Sequence, residues 1–462
     1  MTSLVAYEDS DEEDGFGSRG QEQCELRDEP QSPQPSLNPP SLGPLISAGP
    51  PVVEGSVRMN SPMSSAHGPL WSSQKMGCDL QVPQSVLETP ASSMKRPGCV
   101  RPYIPKRQRL VKASDVMAPA EEPVLSGDEP VLSQVSDRVA VQLTREIRAA
   151  EIPRRLVRSM CGHQGAVNTI QWCPVPQFSH LLLSASMDKT YKVWDGVESG
   201  QCRRVYSGHS AAVRDACWTP CGTQLVTGSF DNTAAITDVE TGQQIVKLDN
   251  QFKVMCVSLH PGAPSVAVCG GYSPSVQAWD SRCNKVVKVY RAAVQQTLDL
   301  LFLRGGSELI SSSDCVSRDS ADRTLIAWDY ETTARLSNQI YHERYTCPSL
   351  ALHPVDDVFV AQTNGNYLAV FSSLRPFRMN KRRQYEGHKV EGYGVQCDFS
   401  PDGSVLASGS STGSVHFYDY HSGRLLHSLM AHRQPCLSVA LHPVLPGTTA
   451  SSDWTGEVKV WA

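Results

Sequence analysis

Ser184-Ala185-Ser186-Met187-Asp188-Lys189-Thr190-Tyr191-Lys192-Val193-Trp194-Asp195 is the stretch on which the fold turns. Thr190–Trp194 alternates apolar and polar residues in the manner of a half-buried strand. Met187-Asp188-Lys189 separates it from an equally β-prone run and reads as a tight turn. Within the stretch, Asp188 lies four residues after Ser184 and six before Trp194, so three polar-tipped side chains stand at fixed intervals around one hairpin.

The same marks recur down the chain. The Trp194 position returns as Trp279, Trp328 and Trp461, and in weaker form as Thr237, Phe371 and Tyr418, at intervals of 42–49 residues. In phase with it, an apolar residue, one further residue and a proline close a strand at Pro174, Pro220, Pro261, Pro354, Pro401 and Pro443; in the fourth unit Arg304-Gly305-Gly306 makes the turn instead. A third mark is Gly162-His163, Gly208-His209, Gly387-His388 and Ala431-His432. Three marks in register at this period are those of a propeller blade, whereas TPR or ankyrin arrays have shorter repeats and helical spacing. Each unit reads as four strands; in the first they are Ala166–Trp172, His180–Ser186, Thr190–Trp194 and Arg203–Ser207. The expectation is an all-β, seven-bladed β-propeller. The seventh unit has no outer strand after Trp461, and Pro153–Met160 belongs to no blade, so that segment is expected to fill the vacant edge and remove it from solvent.

Composition divides the chain. More than half of its 32 prolines precede residue 131, with few aromatics and repeated Ser and Gln. Such a segment cannot bury enough apolar surface to offset its ordering entropy, so 1–132 is read as a disordered arm. Residues 133–152, with Val135, Val139, Leu143 and Ile147 at mild helical spacing, read as a helix or linker, and 153–462 as the propeller. The net charge of −5 is concentrated in the arm. The propeller is near neutral and carries no strong general field for nucleic acid. The 15 cysteines are scattered, without a Cys-x-x-Cys pair. With no signal-peptide start and no membrane-length apolar run, the reading is a reducing, intracellular, soluble protein.

Gly162–Trp172, Phe377–Arg383 and Gly387–Tyr393 resemble the propellers of the WD-repeat family, and within it those related to the splicing factor pre-mRNA-processing factor 17. The resemblance implies a hydrogen-bonded structural tetrad in each blade, here His163, Ser184, Asp188 and Trp194. Partial sets are His209, Thr227 and Asp231 in the second unit, and Asp322 and Trp328 in the fourth, where Cys315–Ala321 is inserted. The other units place Ser273, Gly365, Thr412 and Thr455 where the aspartate belongs. The resemblance also implies a nuclear, splicing-linked scaffold binding other proteins, monomeric within a complex, with no cofactor, metal, membrane or small-molecule substrate.

Candidate chemistry is sparse. Gly409-Ser410-Ser411-Thr412-Gly413 fits the hydrolase Gly-x-Ser-x-Gly pattern, but it falls in a strand–strand turn, not the strand-to-helix elbow a nucleophile needs. Gly15–Gly20 fits a dinucleotide pattern without strand or helix around it. His260, His353 and His442 occupy equivalent turns of different blades and cannot converge on one ion. The reading is therefore not an enzyme. Arg375, Arg378, Lys381, Arg382 and Arg383 form the densest basic cluster of the propeller, either an RNA or acidic-partner contact or a solvated outer strand. Trp279-Asp280-Ser281-Arg282 resembles the box of substrate receptors for cullin-type ubiquitin ligases, the alternative function. In the arm, Lys95, Arg96, Lys106, Arg107 and Arg109 resemble a bipartite nuclear-import signal, and Ser10 lies in an acidic run suited to phosphorylation.

Overall fold

The computed structural model describes residues 130–462 apart from 134, 146–148, 315–323 and 344. Residues 1–129 of the arm, with the import-signal residues, Ser10 and Gly15–Gly20, and also Ile147, Cys315–Ala321 and Asp322, lie outside the described residues, whereas 130–132, read as the end of the arm, are ordered against the second blade.

Seven four-stranded antiparallel sheets make up the fold. The first blade runs Val167–Trp172, Leu181–Ser186, Tyr191–Asp195 and Cys202–Tyr206 from the inside out. These bounds lie within a residue or two of those read from the sequence. The six full blades repeat this meander, because each strand reverses at a turn rich in Gly, Asp or Asn. Lys189 and Asn232, both with positive φ, make the second-to-third strand turns of the first two blades. All seven Gly-His or equivalent loops and the Asp188-type turns therefore lie on one face, called upper here; the proline-closed turns and the strand 3–4 turns lie on the lower face.

The ring closes on itself. Trp172 Nε1–H of the first blade donates to Ala440 O of the seventh at 3.1 Å, and Ile170 N–H donates to Ser438 Oγ at 3.1 Å. The seventh blade takes its outer strand from ahead of the first: Leu156–Met160 pairs antiparallel with Val458–Trp461, Met160 opposite Val458 and Leu156 opposite Trp461. Arg155 and Ala462 exchange both backbone hydrogen bonds, at 2.9 and 3.0 Å. Met160 is buried among Trp172, Trp194, Val458 and Val460. Burying one such side chain contributes about 1.5–3 kcal/mol.

Upstream, a seven-residue helix, Asp137–Leu143, sits against the lower side. Ser136 caps it, its hydroxyl accepting from Val139 N–H and donating to Glu198 of the first blade at 2.6 Å. Glu240 of the second blade accepts from Val131 N–H and Leu132 N–H at 2.8 and 2.6 Å. Val131 and Val139 are both buried against the propeller. The helix is too short to persist alone, so these contacts hold it. No helix among the described residues is long and apolar enough to cross a membrane.

Candidate functional site

In the first blade His163 Nε2 lies 2.8 Å from Ser184 Oγ, His163 Nδ1 lies 2.8 Å from Asp188, and Trp194 Nε1–H donates to Ser184 Oγ at 2.8 Å. An ionised carboxylate only accepts, so Nδ1 carries the proton and Nε2 takes the serine's. Burial pushes the Asp188 carboxyl up, but hydrogen bonds from His163, Thr190 and Gln164 N–H outweigh it and hold it well below its usual range. Burial lowers His163 in spite of Asp188.

This is the geometry of a Ser-His-Asp triad, but one closed to solvent at its serine. Ser184 has no solvent exposure and its oxygen is occupied by the Trp194 N–H, so no acyl group can reach it. A nucleophile must be open to attack in line with an oxyanion site. What the set does is satisfy four buried polar groups at once.

The second blade repeats it with His209, Thr227 at 2.8 Å and Asp231 at 2.9 Å. Thr237 replaces the tryptophan, and Tyr191 of the first blade reaches it, 2.6 Å between hydroxyls. In the fourth blade Trp328 donates to Ser311 at 2.8 Å.

Three substitutes escape sequence reading. In the seventh blade His432 and Trp461 both meet Ser451, at 2.8 and 2.9 Å, and the carboxylate comes from Asp453, 3.4 Å from His432. Thr455, which occupies the aspartate's place in the repeat, instead hydrogen-bonds Asp453 at 2.7 Å. The signal was an aspartate displaced by two residues. In the third blade Asn250 replaces the histidine and accepts from Trp279 Nε1–H at 2.7 Å. In the sixth, His388 bonds the Tyr418 hydroxyl at 2.8 Å.

His432, Asp453 and Glu457 converge closely enough to suggest a metal. Glu457 already faces Lys459 Nζ at 2.9 Å and accepts from Ser159 Oγ at 2.7 Å. The lysine supplies the positive charge such a set would ask of an ion.

The other candidates are dispersed. Nδ1 of His260, His353 and His442 accepts backbone N–H groups two or three residues on, capping their turns. Gly409–Gly413 is a strand–strand turn in which Ser411 N–H donates to Lys389 O. Asp280 and Arg282 grip each other bidentately, at 3.0 and 2.7 Å, on an exposed lower turn. Trp279 of that box is buried inside its blade.

The basic cluster is split by the fold. Arg375 crosses to Glu308 of the fourth blade at 2.5 Å, and the Arg383 guanidinium lies 5.0 Å from the centre of the Tyr420 ring of the sixth. Arg378, just ahead of the outer strand Met379–Glu386, and Lys381 and Arg382 within it stay exposed. Six of the seven outer strands carry Lys or Arg. Charge there keeps unpaired edges from pairing with another chain.

The central channel is built from inner-strand side chains, each capping a backbone N–H of the next blade. Gln171 accepts from Trp218 N–H at 2.8 Å, Asp215 from Val257 N–H at 2.9 Å, Asp299 from Leu350 N–H at 2.6 Å and Asp398 from Leu441 N–H at 2.8 Å. Burial pushes all three carboxyls up, Asp299 to about 7 with help from Asp215, and Asp398 to about 6.

The channel's upper mouth is different in character. The residue directly after the second strand is Trp454, Met187, Phe230 and Tyr272 in the seventh, first, second and third blades, which are consecutive around the ring. Trp454 is 45% exposed and Tyr272 52%. Tyr393 meets Trp454 edge-on at 5.5 Å, and Phe230 meets Tyr272 at 6.0 Å. Together with Arg214 they surround a cavity of about 430 Å³. Sequence reading missed this arc; its signal was four large apolar residues at one repeat position.

Comparison with known proteins agrees with the architecture. The model named "WD domain, G-beta repeat" matches residues 154–195 and 200–238, and that of the "Anaphase-promoting complex subunit 4 WD40 domain" matches 363–442. WD repeat-containing protein 25 of Mus musculus is 46% identical over 444 residues, 94% of this chain and 82% of the mouse protein. Pre-mRNA-processing factor 17 of Homo sapiens is 28% identical over 67% of this chain and 52% of its own length. The Saccharomyces cerevisiae protein of that name is 26% identical over 67% of each chain.

Proposed function

From the premise that this chain belongs to the WD repeat-containing protein 25 family, we propose that it is a non-enzymatic scaffold that holds protein partners within a nuclear assembly concerned with pre-mRNA splicing. The observation that carries this reading is the similarity to Pre-mRNA-processing factor 17, over 312 residues of the human protein and 313 of the yeast protein. Fold alone would not support it, because propellers host many functions. The upper mouth adds a site of the right kind: an exposed aromatic arc on a rigid ring, where side chains of a partner lose water on docking. The buried tetrads supply rigidity.

Affinity purification of the full chain from nuclear extract tests the reading. Co-purification of splicing proteins, reduced by Trp454→Ala, is the expected result. Recovery of no splicing protein would reject it.

A further inference from the structure

The upper mouth holds a charge as well as rings. Arg214 projects from the inner strand Val213–Trp218 into it, half-buried, and shares the cavity wall with Trp454, Phe230 and Tyr272. Gly394 leaves room for the guanidinium; a β-carbon there would collide with Nη2. Among the described residues, Arg214 has no hydrogen-bond or ion-pair partner. The carboxylates nearest in the channel keep backbone partners of their own, and Arg214 acts on them only at a distance, drawing the Asp215 and Asp299 carboxyls down against their burial. Both Asp215 oxygens accept backbone N–H groups, from Ala216 and Val257, and both Asp299 oxygens do so, from Leu300 and Leu350. The one acid on the rim, Glu391, faces Lys389 at 3.6 Å. A second cation, Lys253, lies 6.0 Å from the Phe230 ring centre.

A guanidinium with spare donors, set in an apolar bowl, favours an anion that brings apolar neighbours with it. Charge-assisted bonds to Arg are among the stronger polar contacts, and the surrounding rings limit competition from water. Resting on the scaffold reading above, we infer that the upper mouth binds an acidic, apolar linear segment of a partner protein, with an Asp or Glu carboxylate on Arg214 and a flanking Leu or Phe against Trp454 and Phe230. The cavity volume of about 430 Å³ suits two or three side chains of such a segment rather than a folded domain. RNA is disfavoured: it needs a track of cations for successive phosphates, and the mouth offers Arg214 and Lys253 besides Lys389, which Glu391 already faces.

The test is fluorescence anisotropy with the full chain and a labelled, N-acetylated, C-amidated peptide of alternating Leu-Asp-Phe-Glu units. Its arms are the same peptide with Asn and Gln for the acids, a Lys version, and an oligouridine of equal length. The acidic peptide is expected to bind. Affinity should fall at least tenfold with Arg214→Gln, with Trp454→Ala, or with the Asn/Gln peptide, and only a few-fold with Arg214→Lys. Unchanged melting temperatures show that the variants fold. No binding by the acidic peptide, equal binding by the Asn/Gln peptide or oligouridine, or indifference to Arg214→Gln would each overturn the inference. The two proposals fail separately: recovery of splicing proteins without acid-selective binding removes this one alone, and the converse removes the scaffold reading alone.

Discussion

Removing the clasp strand should cost the propeller most of its stability. A chain beginning at residue 161 leaves the edge of Val458–Trp461 unpaired and uncovers Val131, Val139 and Met160 sites now buried. Three apolar side chains contribute about 5–9 kcal/mol together. The lost ladder bonds add roughly 0.5–1.5 kcal/mol each. A folded domain has a margin of only about 5–15 kcal/mol, so this chain is expected to unfold or aggregate near room temperature. A chain beginning at residue 130 keeps every one of these contacts and should melt where the full chain does. Met160→Ala isolates the central contact and should lower stability by about 2–5 kcal/mol. For a domain of this size that is a fall of roughly 3–8 °C. Circular dichroism melts and size-exclusion chromatography of the three chains decide it. If the chain starting at 161 melted within 2 °C of the one starting at 130, the clasp would be incidental and the closure argument wrong.

Four further outcomes are expected. Ser184→Ala removes the hydroxyl that donates to His163 and accepts from Trp194 and should cost about 1–3 kcal/mol in chemical denaturation; a neutral result would mean the tetrad is ornamental. Stability should follow pH in two opposed stages. Asp231 and Asp453, held at about 2, contribute stability above the unfolded carboxylate range that is lost as pH falls towards 2, whereas Asp299 and Asp398, raised to about 7 and about 6, favour the fold when protonated and weaken it as pH rises from 4 to 8. Asp299→Asn should flatten the upper stage, by on the order of 1–2 kcal/mol after solvent screening along the channel, and an unaltered slope in melts at pH 5 and 8 would refute it. Replacing Arg378, Lys381 and Arg382 by Ser or Gln should raise aggregation in light scattering while leaving RNA crosslinking unchanged; lost crosslinking would instead mark this edge as an RNA contact. Arg282→Ala breaks an exposed pair that water and salt screen, so melting and partner recovery should hold; loss of a bound ligase adaptor would point to the box at Trp279–Arg282.

Spacing made the ring legible because every blade must solve the same problem of burying polar turns. His163, Ser184, Asp188 and Trp194 stand at one hairpin's geometry, and the seven repeats of that hairpin fix the blade count. The orphan segment before the first Gly-His was legible for the same reason: an unfilled outer position and a β-prone run without a home imply each other. What escaped was substitution in space. Asp453 reaches the place of an aspartate two residues later, Asn250 the place of a histidine, and Tyr191 fills a gap left by Thr237 in the next blade. A repeat alignment compares columns, whereas a hydrogen bond requires only that an acceptor arrive. The upper mouth was hidden differently. Trp454, Phe230 and Tyr272 sit in one column, but only the closed ring brings them around a single hole with Arg214. The basic run from Arg375 to Arg383 misled in the opposite sense, because neighbours in sequence were drawn to different blades.

The clasp also sets an order on synthesis. Leu156–Met160 leaves the ribosome some three hundred residues before its ladder partner Val458–Trp461. At about 5–20 residues per second the early strand waits roughly 15–60 s with its edge bare. A nascent chain in that interval is an incomplete circle with a sticky end, and chaperone engagement during translation would be concentrated there, ending when the final tryptophan emerges.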